Sequence, residues 1–228
     1  MLAIIDADSC IYQAAWQQET VDSALDNYKA ILQKNWIDPV WSDEQVIYCG
    51  GKDNFRYELC PQYKANRKDP HKDASLFRPL MQRVIEDGLA IPSDGMEADD
   101  MVRIKAIECA KEEIDFTVVH IDKDLDCIVG HHYNPKRNEF YDIDEDKADL
   151  LYWLQMLKGD PTDNLPGLPK IGPKKAEKML AGVPMKRRKH RVLAAWRAQY
   201  GIVKWKEKLL ETANGIHILR NPTDFFEV

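Results

Sequence analysis

The chain has 228 residues, 44% of them apolar, and 38 acidic against 32 basic side chains give a net charge of −6. That length suits one α/β domain, or one with a helical extension, and no run of 18 or more apolar residues is present to cross a membrane. The N-terminus lacks a basic region followed by a long apolar stretch, so a secretory leader is not expected, and five scattered cysteines without a C-x-x-C pair (Cys10, Cys49, Cys60, Cys109, Cys127) argue against a disulfide framework or zinc site and fit a reducing cytoplasm.

Leu2 to Ile5 is a short apolar run closed by Asp6, which predicts a buried strand. Ser9 is placed to cap a helix from Cys10, and a second helix is expected over about 21–36, with Ala24, Tyr28, Ile31 and Leu32 on one face. Gln45 to Cys49 reads as a second strand stopped by Gly50-Gly51, and 52–73 as a polar, basic segment without a period. A helix over 76–87 ends at Gly88, with a third strand at 89–91. An amphipathic helix is expected over 97–113, a fourth strand over 116–121, a strand pair at 131–133 and 139–143 around Asn134-Pro135, and a helix over 146–157. Basic helices follow Asp160, with a closing strand near 216–219. Alternation of strand and helix predicts a mostly parallel sheet with helices on both faces, whose ligand crevice lies beyond the carboxyl ends of the strands.

Charge is unevenly spread. Residues 94–163 carry 19 Asp/Glu against 8 Lys/Arg, whereas residues 170–208 carry 13 Lys/Arg against 2 Glu. An acidic region followed directly by a basic one is compatible with a polyanionic partner despite the negative total. Within the acidic region, carboxylates fall in three groups: Glu97, Asp99 and Asp100; Asp122 and Asp124; Asp160 and Asp163. Asp6 stands at the end of the first strand. Glu97 and Asp100 share a helix face, and Asp122 and Asp124 alternate by two beyond a strand, so each pair is expected to point one way. Each group alone has a plain structural reading as a first-turn or capping set. Gathered in one cleft, so much negative charge is costly without cations, and the pattern predicts a site for two hard divalent metals and phosphodiester chemistry. The six histidines are dispersed and read as surface or core residues.

Two further segments are basic. Around Arg56 and Tyr63–Lys68, Lys64 and Arg67 are placed to meet a phosphate and Tyr63 to stack on an unpaired base. From Asn164 to Ala176 a glycine-bounded hairpin enters a helix. Gly167 and Gly172 would let backbone amides approach a phosphate, Pro173 suits the first helical position, and Lys170, Lys174 and Lys175 add positive field.

Taken in order, Ile4-Ile5-Asp6, Phe55-Arg56, Tyr63-Lys64 with Arg67, the GMEADDM run from Gly95, Asp122-Lys123-Asp124, and Lys158-Gly159-Asp160 through Asp163-Asn164 into the hairpin resemble the 5′-nuclease superfamily: the 5′→3′ exonuclease domains of bacterial DNA polymerase I, bacteriophage 5′-exonucleases and flap endonucleases. Beyond about Lys186 the match is loose. The resemblance implies an α/β, PIN-like catalytic domain over 1–158 with a small clamp near 52–75, and a helix–hairpin–helix region over 159–228 that grips duplex DNA. It implies a monomeric, cytoplasmic, metal-dependent 5′→3′ exonuclease, with flap-endonuclease or RNase H-like activity, that uses two Mg²⁺ or Mn²⁺ ions and extends to K⁺ at the hairpin. Its substrates would be DNA with a 5′ end, nick or flap, or an RNA–DNA hybrid. A stand-alone phage enzyme fits the size. Carried over, Asp6, Glu97, Asp99 and Asp100 serve the first metal, and Asp122, Asp124, Asp160 and Asp163 the second. Lys64 and Arg67 hold the scissile phosphate, with Tyr63 and Arg56 beside them. One departure stands out: where the superfamily has an aspartate at the end of the second strand, this chain reads Cys49-Gly50-Gly51, and Asp53 is the nearest carboxylate to substitute. Two other readings remain open, a DNA-structure-binding protein with weakened catalysis and a PIN-type ribonuclease.

Overall fold

A computed structural model describes residues 1–66 and 75–226. By contacts the chain divides into two compact units: residues 1–54, 75–143 and 219–222, and residues 55–66, 144–218 and 223–226. The helix over Glu145–Lys158 packs within the second unit. No helix among the described residues is long and apolar enough to cross a membrane.

The first unit is an α/β layer structure. Its sheet has six strands in the order β3-β2-β1-β4-β5-β6, where β1 is Leu2–Asp6, β2 Glu44–Asn54, β3 Ile91–Gly95, β4 Phe116–Val119, β5 Gly130–Asn134 and β6 Glu139–Ile143. All neighbours run parallel except β5 and β6, which form the expected antiparallel pair. Ala3 and Ile5 of β1 enter a core with Ile11 of helix α1 (Asp8–Ala15), Leu25 and Tyr28 of α2 (Val21–Ile31), and Leu80 and Val84 of α4 (Phe77–Glu86). Ile4, equally buried, points to the other face by strand alternation, where α5 (Ala98–Lys111) packs. Burial on both faces explains why β1 is apolar throughout. The chain fills the β1-β2-β3 side first and then crosses to β4. The loops after β1 and β4 therefore part at a topological switch point, the usual crevice of an open parallel sheet.

Several local expectations are corrected. Ser9 does not cap α1: the helix begins two residues earlier, at Asp8, behind Ala7. The second helix is α-helical only to Ile31 and continues as a π turn over Leu32–Ile37. Gly50-Gly51 does not stop β2, which runs on to Asn54 with a register shift against β3, since an edge-side strand tolerates irregular pairing. The third strand lies at 91–95 rather than 89–91. No strand closes the chain at 216–219, because Ile216 ends a long helix.

The second unit is mainly helical. It contains α3 (Phe55–Leu59), α6 (Glu145–Lys158), α7 (Pro173–Leu180), α8 (Met185–Ile216) and a two-stranded ladder, β7 (Gly159–Asp160) with β8 (Leu165–Pro166). Trp153, Met156 and Leu157 of α6 form its core with Ala176, Leu180, Val192, Trp196 and Leu209. Gly201 (φ 73°) breaks α8 internally. Gly159 (φ 71°) and Gly167 cross so closely that a Cβ on Gly167 would stand 2.2 Å from the Lys158 carbonyl carbon. Arg188 ties α8 to α6, with Nη2 donating to both Asp146 carboxylate oxygens at 2.8 and 2.9 Å and Nη1 to Asp149 at 3.0 Å.

Candidate active site

The carboxylates of the first unit gather at the switch point. Asp6, the last residue of β1, is 4% exposed. Its carboxyl is held well above the usual carboxylate range, by burial first and then by the charges of Asp8 and Asp122, with Glu97 adding a smaller push. Asp99, in the first turn of α5, is likewise raised by burial, then by Asp6, Asp122, Glu97 and Asp100. These mutual effects place Asp6, Asp8, Glu97, Asp99, Asp100 and Asp122 in one electrostatic neighbourhood.

Asp100 is also a capping residue. The Glu97–Asp100 spacing builds a reciprocal capping box at the start of α5: the Glu97 side chain accepts from the Asp100 amide, and Asp100 Oδ2 accepts from the Glu97 amide at 2.9 Å. Asp100 Oδ1 accepts from the Leu219 amide at 2.8 Å, and the residue is fully buried. Two backbone donors make Asp100 a structural carboxylate that sets the pose of its neighbours.

Asp122 and Asp124 do not alternate along an extended chain. Asp122 caps a short 3₁₀ turn over Lys123–Cys127, its Oδ1 accepting from the Asp124 amide at 2.9 Å. The turn leaves Asp122 exposed and acting on Asp6 and Asp99, while Asp124 meets Lys123 Nζ at 3.2 Å.

The carboxylate beside the Gly50 departure is Asp8, not Asp53. Asp8 Oδ1 accepts from the Gly50 amide at 2.7 Å, and a Cβ on Gly50 would lie 3.2 Å from Asp8 Oδ2. Asp8 thus fills the space that a side chain at position 50 would enter. Asp53 is exposed, in the left-handed region at φ 59°. The signal was present in sequence as an Asp-x-Asp pair at 6 and 8, but just ahead of an expected helix start Asp8 reads as an ordinary dipole-favoured residue.

In the second unit, the 60–66 segment is stapled onto the 160–164 loop. The Lys64 amide donates to the Asp163 carbonyl at 2.8 Å, Asn164 Nδ2 to the Gln62 carbonyl at 2.8 Å, and Asn66 Nδ2 to the Pro161 carbonyl at 2.9 Å. Tyr63, Lys64, Asp160 and Asp163 are brought together there. Asp163 Oδ2 accepts from the Tyr63 hydroxyl at 3.1 Å and lies 4.0 Å from Lys64 Nζ; Asp160 Oδ1 accepts from the Thr162 amide at 2.8 Å. Tyr63 is 2% exposed, so its ring is a core element here rather than an open stacking platform. Arg56 is also buried: Nε donates to the Gly215 carbonyl at 3.2 Å and Nη2 to the His217 carbonyl at 2.8 Å, closing the end of α8. Arg67 lies outside the described residues.

Gly172 precedes α7 in extended backbone (φ −97°) with Pro173 at the first helical position, as expected. The close approach that glycine permits is made by Gly167, against the Lys158–Gly159 backbone. Lys170, Lys174 and Lys175 are exposed, and Lys175 Nζ donates to the Lys170 carbonyl at 2.9 Å.

Carboxylates whose charges destabilise one another in a buried pocket fit hard divalent cations, which relieve that repulsion and take oxygen ligands. Asp6 and Asp99 are the carboxylates raised in this way, and Asp8, Glu97 and the exposed Asp122 supply charges around them.

Residues 1–149 match the family model of the 5′-3′ exonuclease, N-terminal resolvase-like domain. The chain is 32% identical over 146 residues to DNA polymerase I of Rhizobium leguminosarum (59% of this chain, 14% of that protein) and 26% over 205 residues to DNA polymerase I of Bacillus caldotenax (78% and 23%). It is 27% identical over 198 residues to a 5′-3′ exonuclease of Buchnera aphidicola (77% and 68%). The chain therefore spans less than a quarter of the length of the polymerases it matches. In fold it is similar to the T5 5′-exonuclease with divalent zinc ions bound, with a TM-score of 0.62 at 17% identity over 94% of this chain and 86% of that one. It is also similar to the bacteriophage T5 flap endonuclease in complex with DNA and metal ions (TM-score 0.59, 15% identity, 94% and 98%). With the family model covering well over half of its length, the chain belongs to the 5′-nuclease superfamily, through the resolvase-like domain of the 5′-3′ exonucleases.

Proposed function

We propose that this protein is a divalent-metal-dependent 5′→3′ exonuclease that hydrolyses phosphodiester bonds at or near DNA 5′ ends, flaps included. The observation that carries the reading is the mutual repulsion of Asp6 and Asp99, with Asp8 and Asp122 adding to it, at the switch point of the sheet. Bound Mg²⁺ or Mn²⁺ would lower the pKa of a water and stabilise the leaving oxygen of an in-line displacement. Asp6, Asp8, Glu97, Asp99 and Asp122 would hold the first ion, and Asp8 stands in for the carboxylate absent at position 50. Asp160 and Asp163 are proposed to hold a second ion. Asp100 holds the start of α5 so that Glu97 and Asp99 keep their places.

Lys64 and Arg67 are proposed to hold the scissile phosphate. Basic, exposed residues of the second unit (Lys170, Lys174, Lys175, Lys178, Lys186, Arg187, Lys189) would grip the phosphate backbone as a helix–hairpin–helix element does, without reading sequence. Primer removal from RNA–DNA hybrids belongs to the same chemistry.

The test is product analysis on 5′-labelled duplex, nicked, flapped and RNA–DNA substrates with Mg²⁺ titrated. Metal-dependent release of 5′-phosphorylated products supports the reading. Binding without cleavage at every metal concentration would replace it with a structure-binding role, and preferential cleavage of RNA with a PIN-type ribonuclease.

A further inference from the structure

Two histidines that look dispersed in sequence meet directly behind the turn that carries Asp122. His120 follows β4 and His132 lies in β5, and they are 1% and 0% exposed. His120 Nε2 faces His132 Nδ1 at 2.8 Å. The second nitrogen of each ring meets a backbone carbonyl: His120 Nδ1 that of Asp122 at 2.5 Å, His132 Nε2 that of Ile128 at 2.9 Å. A carbonyl oxygen only accepts, so the partners assign the N–H of each ring to that side. Two neutral imidazoles then present lone pairs to one another. Asp126 Oδ1 lies 3.9 Å from His120 Nε2, and the Tyr141 hydroxyl lies 2.8 Å from Asp126 Oδ1 and 3.2 Å from His120 Nε2. The hydroxyl donates to Asp126 Oδ1, the shorter contact, and so supplies no proton between the facing nitrogens. Three electron-rich atoms, all within 4.8 Å of one another, thus converge on a point that calls for a cation.

We propose that His120, His132 and Asp126 bind a zinc-class transition-metal ion. Zinc-ligating histidines characteristically donate their other ring N–H to a carbonyl or carboxylate, as both do here, and ligating carboxylates are themselves hydrogen-bonded, as Asp126 is by Tyr141. Two imidazoles and one carboxylate select zinc over magnesium, which prefers oxygen alone. Metal–ligand bonds of about 2.0–2.1 Å in tetrahedral geometry set ligand atoms roughly 3.3 Å apart. The histidine pair would open by about half an ångström, and Asp126 would close by a similar amount. Asp126, whose side chain is 20% exposed, marks the entry side. Because His120 also holds the Asp122 carbonyl, the ion would brace the turn bearing Asp122 and Asp124. The site is separate from the carboxylate cluster and does not depend on the nuclease reading.

The experiment uses the full chain, stripped with chelator and returned to buffer with millimolar Mg²⁺ to fill carboxylate sites. Co²⁺ is then titrated while its tetrahedral absorption bands are followed, with Zn²⁺ as competitor. One Mg²⁺-resistant equivalent is expected, displaced by Zn²⁺, retained in Asp99→Asn and weakened at least about tenfold in His132→Gln and in Asp126→Asn. Asp126 is partly exposed, so its variant decides the matter if His132→Gln does not fold. Absence of Co²⁺ uptake in the wild type would overturn the proposal and assign a proton to the histidine pair. Uptake surviving in Asp126→Asn, or abolished by Asp99→Asn, would overturn it equally.

Discussion

Asp99 and Asp163 are both aspartates in acidic groups, yet their surroundings are opposite. Around Asp99 the neighbours are Asp6, Asp122, Glu97 and Asp100, and each raises its carboxyl above the ordinary range. Around Asp163 the neighbours are the Tyr63 hydroxyl and Lys64 Nζ, a donor and a cation. One group is frustrated until something positive arrives, and the other is already satisfied by its own chain. Frustration of this kind, more than a count of carboxylates, marks where a protein gives up stability for chemistry.

The largest effect expected from that contrast is on turnover. Asp99→Asn should lower flap cleavage by about 10³-fold, equivalent to roughly 4 kcal/mol of barrier. It should also raise the melting temperature in chelator, because a repelled, half-buried charge is gone. Asp163→Asn should lower the melting temperature instead, by the equivalent of about 1–2 kcal/mol, through weakened hydrogen bonding to Tyr63 and Lys64. Melting curves of the two variants without divalent metal check this directly, and shifts of the same sign would erase the distinction between the groups.

A second, smaller effect sharpens the role of Asp8 inside the frustrated group. Asp8→Ser should weaken Mg²⁺ dependence of cleavage by about tenfold, the cost of one lost oxygen ligand at about 1.4 kcal/mol. Gly50→Asp in the wild type should not help, since its Cβ already lies 3.2 Å from Asp8 Oδ2 and the new charge would join the crowd. In the Asp8→Ser background the same Gly50→Asp change should recover the lost affinity. Half-saturating Mg²⁺ in a cleavage assay of the three variants measures it, and a Gly50→Asp gain independent of residue 8 would remove Asp8 from the site.

Much of this arrangement was legible in the chain itself. The apolar run ending in Asp6, the strand–helix alternation and the β5–β6 pair rest on periodicities of two and 3.6 that survive folding intact, and they put Asp6 at the carboxyl end of its strand. What the chain does not show is the set of distant hydrogen-bond partners. The i, i+3 spacing of Glu97 and Asp100 builds a capping box, while the Leu219 amide that meets Asp100 comes from 119 residues away. Tyr63 and Arg56 looked exposed because their segment is polar. The sequence could not reveal that Gly215, His217 and Asp163 would supply their partners from more than 90 residues off. The His120–His132 contact arises from strand neighbours β4 and β5 and has no local signature at all.

Asp100 provides the next test, because it lies in the crowded group's own helix but is satisfied. Asp100→Asn should cost about 1–3 kcal/mol of stability: an amide can accept from one of the Glu97 and Leu219 N–H groups, but must turn its own N–H₂ toward the other. Chemical denaturation measures the loss. A neutral outcome would move Asp100 back among the frustrated carboxylates.

The smallest effect is a pH dependence, and its sign follows from the direction of the shifts. Asp6 and Asp99 titrate higher in the folded protein than in the unfolded chain, so between those two ranges the folded state binds more protons. Their contribution to stability is therefore full below the ordinary carboxylate range near pH 4 and is lost as pH rises toward the raised values. Without divalent metal, wild type should gain less stability, or lose more, than the Asp6→Asn/Asp99→Asn double variant as pH goes from 5 to 8. Divalent cations compete with those protons, so Mg²⁺ should raise the wild-type melting temperature by a few degrees at pH 8 and by less at pH 5, while the double variant responds weakly at both. Thermal melts at the two pH values, with and without Mg²⁺, separate these cases. A Mg²⁺ response that is larger at pH 5, or equal in the double variant, would mean that the repulsion between Asp6 and Asp99 is not what the cation relieves.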